Sequence, residues 1–400
     1  MAIHFSEVLS KMKGSDLGPL LALTAQPDII SFAGGLPAPR TFPLKELTEV
    51  AVKVREEDGA GAMQYGPSLG FMGLRQAIAD RMNRMYCPMG MDKVDPTNIM
   101  ITTGSQQGLD ITGRVFIDKD DVVLIESPSY LGAIGAFALE QPKFVEVPTD
   151  DQGMIPEELD KILATTDKVK FIYVIPNFQN PTGLTYTQAV RERAAAILKA
   201  AGTPVIEDNP YGELRFHGEG GSSFAALLGE QCAAMGTFSK IVAPGMRIGW
   251  IACKQPELYA KLLAFKSTMD LHTNIFGQMV LAQYLLDNDL DAQIEKIKDM
   301  YREKAEKMMA CMAEDFPAEV SYTKPEGGMF IWATMPEGLK AVDVMTAAAQ
   351  KGVAVCPGDP FYEEDRDVRT MRINYSNSSD EAIEKGIKIL GDTIKELLAK

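Results

Sequence analysis

The sequence predicts an α/β fold: a large domain with a mainly parallel sheet flanked by helices, followed by a smaller α+β domain. Three observations carry this prediction. Short β-branched or apolar runs, "NIMITT", "VVLIE", "KFVEV", "KFIYVIP" and "TPVIED", alternate with longer segments of helical spacing, the pattern of βαβ units. Near Leu290 the pattern changes: Leu290, Ile294, Ile297, Tyr301, Ala305, Met308 and Met312 recur every three or four residues in a charged background, which predicts one long amphipathic helix. Before both, "SFAGGLPAPRTFP" is rich in Gly and Pro and reads as an ordered arm rather than a helix or strand.

In chain order these readings give a short helix and arm over 1–45, a large domain over 46–288 and a small domain over 289–400. In the last, "GGMFIWATMP" and "VAVCPG" read as strands and "SDEAIEKGIKILGDTIKELLAK" as a terminal helix. There is no internal repeat and no low-complexity linker.

Composition narrows the partners. With 400 residues, 46% hydrophobic and 24% charged, the chain can bury a large core. Its net charge of -15, from 40 Lys+Arg against 55 Asp+Glu, argues against nucleic acid or anionic lipid as a general partner. Any anionic ligand must therefore be held by a local cluster of cations and backbone N–H groups. No stretch reaches the roughly 18 apolar residues that a membrane span needs, and the N-terminus lacks a basic segment followed by an apolar core. A soluble cytoplasmic protein is expected. Cys87, Cys232, Cys253, Cys311 and Cys356 are scattered without CxxC spacing, and there are three histidines. Neither disulfides nor a metal site is expected.

In an open α/β sheet, ligands collect outside the carboxyl ends of the strands. After "NIMITT", Gly104, Ser105 and Gln106 open a helix whose first N–H groups and positive dipole end make an anion site; taken alone, Ser105 reads as an ordinary helix cap. After "KFIYVIP", Asn180 precedes Pro181 in "NFQNPTG", a turn that projects an amide. After "TPVIE" comes "DNPYG", with Asp208 at the strand end and Tyr211 three residues on. A carboxylate at that depth needs a cationic partner, unless it is only a turn cap. In "GTFSKIVAPGMRIGW", two apolar runs joined through Pro244 and Gly245 bring Ser239, Lys240 and Arg247 towards one spot. An isolated lysine there would read as solvated.

Together these groups ask for a ligand with an aldehyde, a basic ring nitrogen, a phenolate and a phosphate. Pyridoxal 5'-phosphate (PLP) has all four. With these segments in view, the chain resembles the fold-type I PLP-dependent aminotransferases of class I/II, in their aminoadipate and aromatic aminotransferase branch. The resemblance runs over nearly the whole chain, through "SFAGGLPAP", "QYGPSLGFMGLR", "TTGSQQGLD", "ESPSYLGAIGAF", "PNFQNPTG", "EDNPYGELRF", "GTFSKIVAPGMRIGW", "DLHT", "KPEGGMFIW" and "RINYS".

The resemblance implies a seven-stranded sheet, an arm that packs with the small domain, a homodimer with shared sites and a ping-pong transfer of an amino group. It implies that Lys240 forms the Schiff base with PLP and carries the transferred proton, and that Asp208 keeps the pyridine nitrogen protonated. Asn180 and Tyr211 would donate to the phenolate oxygen, and Ser105, Gln106, Ser239 and Arg247 would bind the phosphate beside Gly104. Tyr130 would stack on the ring, although a core aromatic looks the same in sequence. Arg372, in "RTMRINYSN", would hold the substrate α-carboxylate as a bidentate partner. Gly34 and Gly35 would line the substrate side, and Tyr65 would reach the phosphate of the partner's cofactor.

Substrate choice rests on the N-terminal segment. Relatives that handle long acidic side chains carry a basic residue in a short helix there, whereas "SDLGPLLALT" offers Asp16 and Gly18; Arg40 is the nearby alternative and reads as a solvated loop arginine. The expected donor is an apolar or aromatic L-amino acid, or a broad range, and the acceptor a 2-oxo acid such as 2-oxoglutarate or pyruvate. A 2-aminoadipate-specific aminotransferase and a C–S β-lyase using the same Lys240 and Asp208 are the enzymatic alternatives. A transcriptional regulator would need a winged-helix segment, for which residues 1–30 are too few. A binding protein with a degenerate site is disfavoured because each expected polar contact is present.

Overall fold

The computed structural model describes residues 3–11, 28–363, 366 and 368–400. Strand β1 (Ile30–Ser31) lies in the arm. The large sheet comprises β2 (Ile99–Thr102), β3 (Val122–Ser127), β4 (Lys143–Asp150), β5 (Gly153–Met154), β6 (Val169–Val174), β7 (Val205–Asp208), β8 (Cys232–Thr237) and β9 (Gly249–Cys253). Their order is β2-β9-β8-β7-β6-β3-β4-β5. Neighbours among β8, β7, β6, β3 and β4 pair in parallel, whereas β9 is antiparallel to both β2 and β8. The two-residue β5 folds back on β4; added to the seven expected strands, it makes eight. A strand of that length has no periodicity to read.

Both faces of the sheet are covered, which is why its strands read as continuous apolar runs rather than alternating ones. Alternate residues still go to opposite layers. Val123, Ile125, Phe171, Tyr173 and Ile206 pack with Leu109, Phe137 and Leu262 on one side. Val122, Leu124, Ile172, Val174 and Val205 pack with Leu159, Leu198 and Phe224 on the other. In β7 this alternation puts Asp208 on the face of Ile206 and Glu207 on the face of Val205. A one-residue slip would exchange the two carboxyl groups.

The long helix spans Leu290–Asp315, and all seven residues of its predicted apolar stripe are buried. It packs beside the terminal helix Asp380–Leu398, whose Ile383, Ile387 and Leu390 enter the same core. A second sheet has the order β10-β11-β14-β13, from β10 (Ser321–Tyr322), β11 (Phe330–Thr334), β13 (Cys356–Pro357) and β14 (Thr370–Asn374). The run "VAVCPG" forms two strands instead of the single one expected. Its first part, β12 (Val353–Ala354), pairs in parallel with β1, while β13 pairs with β14. The arm thus draws half of that strand away from the second sheet, and the Ala38 amide donates to Tyr301 Oη at 3.2 Å.

No helix among the described residues is long and apolar enough to cross a membrane. All five cysteines are free. Among the described residues, no three His, Cys, Asp or Glu side chains group as a metal site would need. The segment "SDLGPLLALT", with Asp16 and Gly18, lies outside the described residues.

Candidate active site

Because β2, β3, β6, β7 and β8 point the same way, their carboxyl ends meet at one edge of the sheet. Each delivers a predicted residue there: Gly104 to Gln106 after β2, Tyr130 after β3, Asn180 after β6, Asp208 at the end of β7, and Ser239 and Lys240 after β8. The antiparallel β9 starts at that same edge, with Thr237 opposite Gly249. That is why Arg247 returns to the level of Lys240. All of these except Gly104 and Gly249 line a cavity of about 390 Å³, together with Gly34, Gly35, Tyr211 and Arg372.

At one end of the cavity is the start of the helix Gly104–Phe116. Its N-cap, Thr103, makes no side-chain capping bond, so Ser105 is not the cap and the first-turn amides can serve an anion. Gly104 has φ +69°, and a Cβ there would lie 2.3 Å from Arg247 Nη2. Only glycine tolerates both that backbone and that neighbour. A Cβ on Gly249 would come within 2.6 Å of the Ser105 nitrogen, so β9 and the helix start meet backbone to backbone. Ser239 lies 2.9 Å from Thr237 Oγ1, which also accepts the Ser239 amide at 3.1 Å. The Gln106 side chain donates to the Gly132 carbonyl at 2.8 Å, so its amide is committed to the first turn of the helix Leu131–Ala138 that follows Tyr130.

In the middle lie Lys240 and Asp208. Lys240 Nζ donates to the Gly35 carbonyl at 2.9 Å. Burial, with Arg372 and Arg247 nearby, lowers its pKa from 10.5 to about 8. Roughly a tenth of the amine is then neutral near pH 7, far more than for a solvated lysine, which suits a nucleophile and proton carrier. Asp208 is 2% exposed. Burial raises its pKa from 3.8 to about 6, against a hydrogen bond from Tyr173. Its Oδ2 accepts from Tyr173 Oη at 2.8 Å, and its Oδ1 is buried with no partner among the described residues. An unpaired buried carboxylate oxygen is costly. A protonated ring nitrogen would satisfy it and reverse the upward shift.

Opposite, Arg372 projects from β14 between two aromatic rings, its guanidinium 4.4 Å from the Phe330 ring centre and 5.1 Å from that of Phe361. Nη1 donates to Asn180 Oδ1 at 2.8 Å and Nη2 to the Ala33 carbonyl at 2.7 Å, while Nε is buried without a partner among the described residues. Asn180 Oδ1 is thus occupied, and its amide nitrogen remains to donate. Tyr211 is buried in the same cavity lining as Asn180, and burial raises its pKa. The missing side chain of Gly35 makes room for a ring of the protein itself, since a Cβ there would lie 3.2 Å from Phe330 Cζ. Tyr65 lies apart from the cavity, 78% exposed, with its ring edge-on to His272 at 5.8 Å. Arg40 is exposed, with Nε 3.1 Å from Met300 Sδ.

Sequence reasoning missed Thr237, Tyr173, Phe330 and Phe361. Each sits inside or beside a quoted segment, but none carries a signal apart from its neighbours: Thr237, Tyr173 and Phe330 lie in buried strands and Phe361 in a short buried turn of helix, where such residues look like core.

An amine, a carboxylate with an unpartnered oxygen, a helix start with uncapped amides and a fixed guanidinium around one cavity match the aldehyde, ring nitrogen and phosphate of PLP and an amino-acid carboxylate. The chain belongs to the class I and II aminotransferases: the family model matches residues 30–390. It is a PLP-dependent enzyme of fold type I. It is 44% identical over 403 residues to aromatic-amino-acid aminotransferase 1 of Thermococcus litoralis, covering 99% of this chain and 95% of that protein. The crystal structure of a multiple substrate aminotransferase from Thermococcus profundus matches with a TM-score of 0.93 and 40% identity, over 99% of this chain and 98% of that one. The α-aminoadipate aminotransferase LysN from Thermus thermophilus, solved with N-(5'-phosphopyridoxyl)-L-leucine, matches with a TM-score of 0.91 and 36% identity, over 99% and 98%.

Proposed function

We propose that this enzyme moves the amino group of an apolar or aromatic L-amino acid, or of a broad range including these, to a 2-oxo acid such as 2-oxoglutarate. The observation that carries the reading is the set of three groups at fixed positions around one cavity: the Lys240 amine, the free Asp208 oxygen and the stacked Arg372. Lys240, Arg247 and Arg372 are the cations lining it among the described residues, and each has a task that leaves none for a distal substrate carboxylate. Arg40 is turned to Met300 instead. The names of the relatives, which include aromatic-amino-acid and multiple substrate aminotransferases, agree with this choice.

When bound, PLP supplies an aldehyde for the amino group and a ring that accepts the electrons released at the substrate α-carbon. The remaining tasks fall to the chain. Lys240 Nζ would hold the aldehyde, and its amine would carry the proton to and from the substrate α-carbon. Asp208 Oδ1 keeps the ring nitrogen protonated, and Asn180 and Tyr211 donate to the phenolate oxygen. Ser105, Ser239, Arg247 and the amides of Gly104 to Gln106 hold the phosphate, while Tyr130 covers the ring. Arg372 takes the α-carboxylate, and Gly34 and Gly35 border that end.

The functional unit in this reading is a homodimer. Its support is the exposure of Met63, Tyr65 and Leu271, at 71%, 78% and 50%, with the Tyr65 ring against His272, next in sequence to Leu271; exposed apolar side chains grouped in this way suit an interface. From it Tyr65 reaches the partner's phosphate. The division into an arm over 1–45, a large domain over 46–288 and a small domain over 289–400 is supported by the two sheets and by the β1–β12 pairing.

A half-reaction screen tests the substrate. Single amino acids are added to the yellow enzyme, and loss of its visible band is followed. Phenylalanine, leucine and methionine are expected to bleach it; bleaching by 2-aminoadipate alone would overturn the donor class. Pyruvate and ammonia release from a cysteine conjugate without any 2-oxo acid would favour the lyase. Arg247→Ala is expected to raise the PLP dissociation constant roughly tenfold, the lower range for a charge-assisted bond, because this arginine is exposed. Equilibrium dialysis checks it, and an unchanged constant would remove Arg247 from the phosphate site.

A further inference from the structure

We infer that Tyr173 is the positioning residue of the cofactor site: its hydroxyl reserves Asp208 Oδ2 and leaves Oδ1 as the one oxygen presented to the ring nitrogen. The inference rests on the PLP reading above. It begins with sheet register. Tyr173 in β6 is directly opposite Ile206 in β7, so Tyr173 and Asp208 share a face and stand as diagonal neighbours, a spacing that a tyrosine can span. Their bond is 2.8 Å, and the ring of Tyr173 is fully buried. Phe137 meets it edge-on at 5.8 Å, which fixes the ring on one side while the hydroxyl is aimed at the strand end.

Two buried carboxyls adjoin this layer, and the pattern of donors separates them. Glu126 accepts from Tyr186 Oη at 2.8 Å and from the Ile175 amide at 3.0 Å, so both of its oxygens are occupied. Glu207 points to the opposite face, with Oε2 receiving the Ala225 amide at 3.1 Å. Glu207 Oε1 is likewise unpartnered among the described residues, but only Asp208 combines a tyrosine donor and an unpartnered oxygen with a place in the cavity lining. A phenol donates without adding charge, so it favours the carboxylate while leaving it to be neutralised by the cofactor. A lysine or arginine in its place would take the countercharge that the ring nitrogen must supply.

The test is Tyr173→Phe, which keeps the ring and removes the donor, compared with Phe137→Leu, which disturbs the same packing and keeps the donor. In cofactor-free protein, the Asp208 carboxyl followed by ¹³C NMR is expected to titrate at a higher pH in Tyr173→Phe and at the wild-type pH in Phe137→Leu. With PLP labelled with ¹⁵N at the ring nitrogen, its resonance is expected to move towards the unprotonated position in Tyr173→Phe only. The dissociation constant is expected to rise roughly tenfold or more, the range for a hydrogen bond to a charged group. An unchanged Asp208 titration in Tyr173→Phe overturns the inference, even if the variant melts earlier. So does equal movement in Phe137→Leu. If Tyr173→Phe does not fold, Tyr173→3-fluorotyrosine keeps the shape with a stronger donor and must lower the Asp208 titration; no change overturns the inference. Wild-type protein that binds no PLP would instead defeat the cofactor reading, and the carboxyl titration would still decide this one.

Discussion

Lys240→Ala is expected to abolish amino-group transfer while leaving PLP able to bind. Lys240 is the one amine lining the cavity among the described residues, and burial beside two arginines lowers its pKa to about 8. Losing a proton carrier matched to neutral pH costs roughly 10²–10⁴-fold by itself, and the covalent hold on the cofactor is lost as well. The groups proposed for the phosphate are untouched, because Ser239, Arg247 and the helix start at Gly104 owe nothing to the lysine side chain. Two measurements check this. PLP retained after gel filtration should stay near one per chain, though without the wild-type visible band. Added methylamine should restore part of the turnover, since a free amine can enter the space vacated. A variant keeping more than a tenth of wild-type activity would remove Lys240 from the chemistry.

Arg372→Ala is expected to lower kcat/KM for amino donors by about 30- to 5,000-fold, from the roughly 2–5 kcal/mol at stake when one partner of a buried charge pair is truncated. PLP content should not change. The guanidinium is placed by four contacts: the Phe330 ring, the Phe361 ring, Asn180 Oδ1 and the Ala33 carbonyl. Its plane is therefore set before substrate arrives, which reduces the ordering cost of binding. Arg372→Lys should recover only part of the loss, because an ammonium neither stacks between two rings nor offers a planar pair of donors. Steady-state kinetics on phenylalanine and on phenethylamine separate the causes. The wild-type preference for the carboxylate-bearing amine should collapse in Arg372→Ala, and a preference that survives would assign the carboxylate to another residue.

Much of the site was legible because its residues come directly after apolar runs, and in a parallel sheet such positions share one edge. "NIMITT", "KFIYVIP" and "TPVIE" needed only to be strands for Ser105, Asn180 and Asp208 to become neighbours. The long helix was equally legible, since seven apolar positions at helical spacing can be buried together only on one stripe. The N-terminal arm was less so. "SFAGGLPAP" signals order through Gly and Pro, but nothing local tells that it pairs with β12, splits "VAVCPG" in two and hands the Ala33 and Gly35 carbonyls to Arg372 and Lys240.

By itself, the sequence determined the succession of strands and helices, the chemical inventory of the site and the family to which it belongs. Each of these is local: residue type, spacing, and position after a strand. Tertiary structure alone decided which side chains hold the chemical groups in place. Tyr173 bonds Asp208 because β6 neighbours β7 in one particular register, and Phe330 stacks on Arg372 because β11 lies beside β14. The return of Arg247 depends on β9 running against its neighbours. Strand neighbourhood is settled by packing across the whole sheet, and a short sequence window holds no record of it.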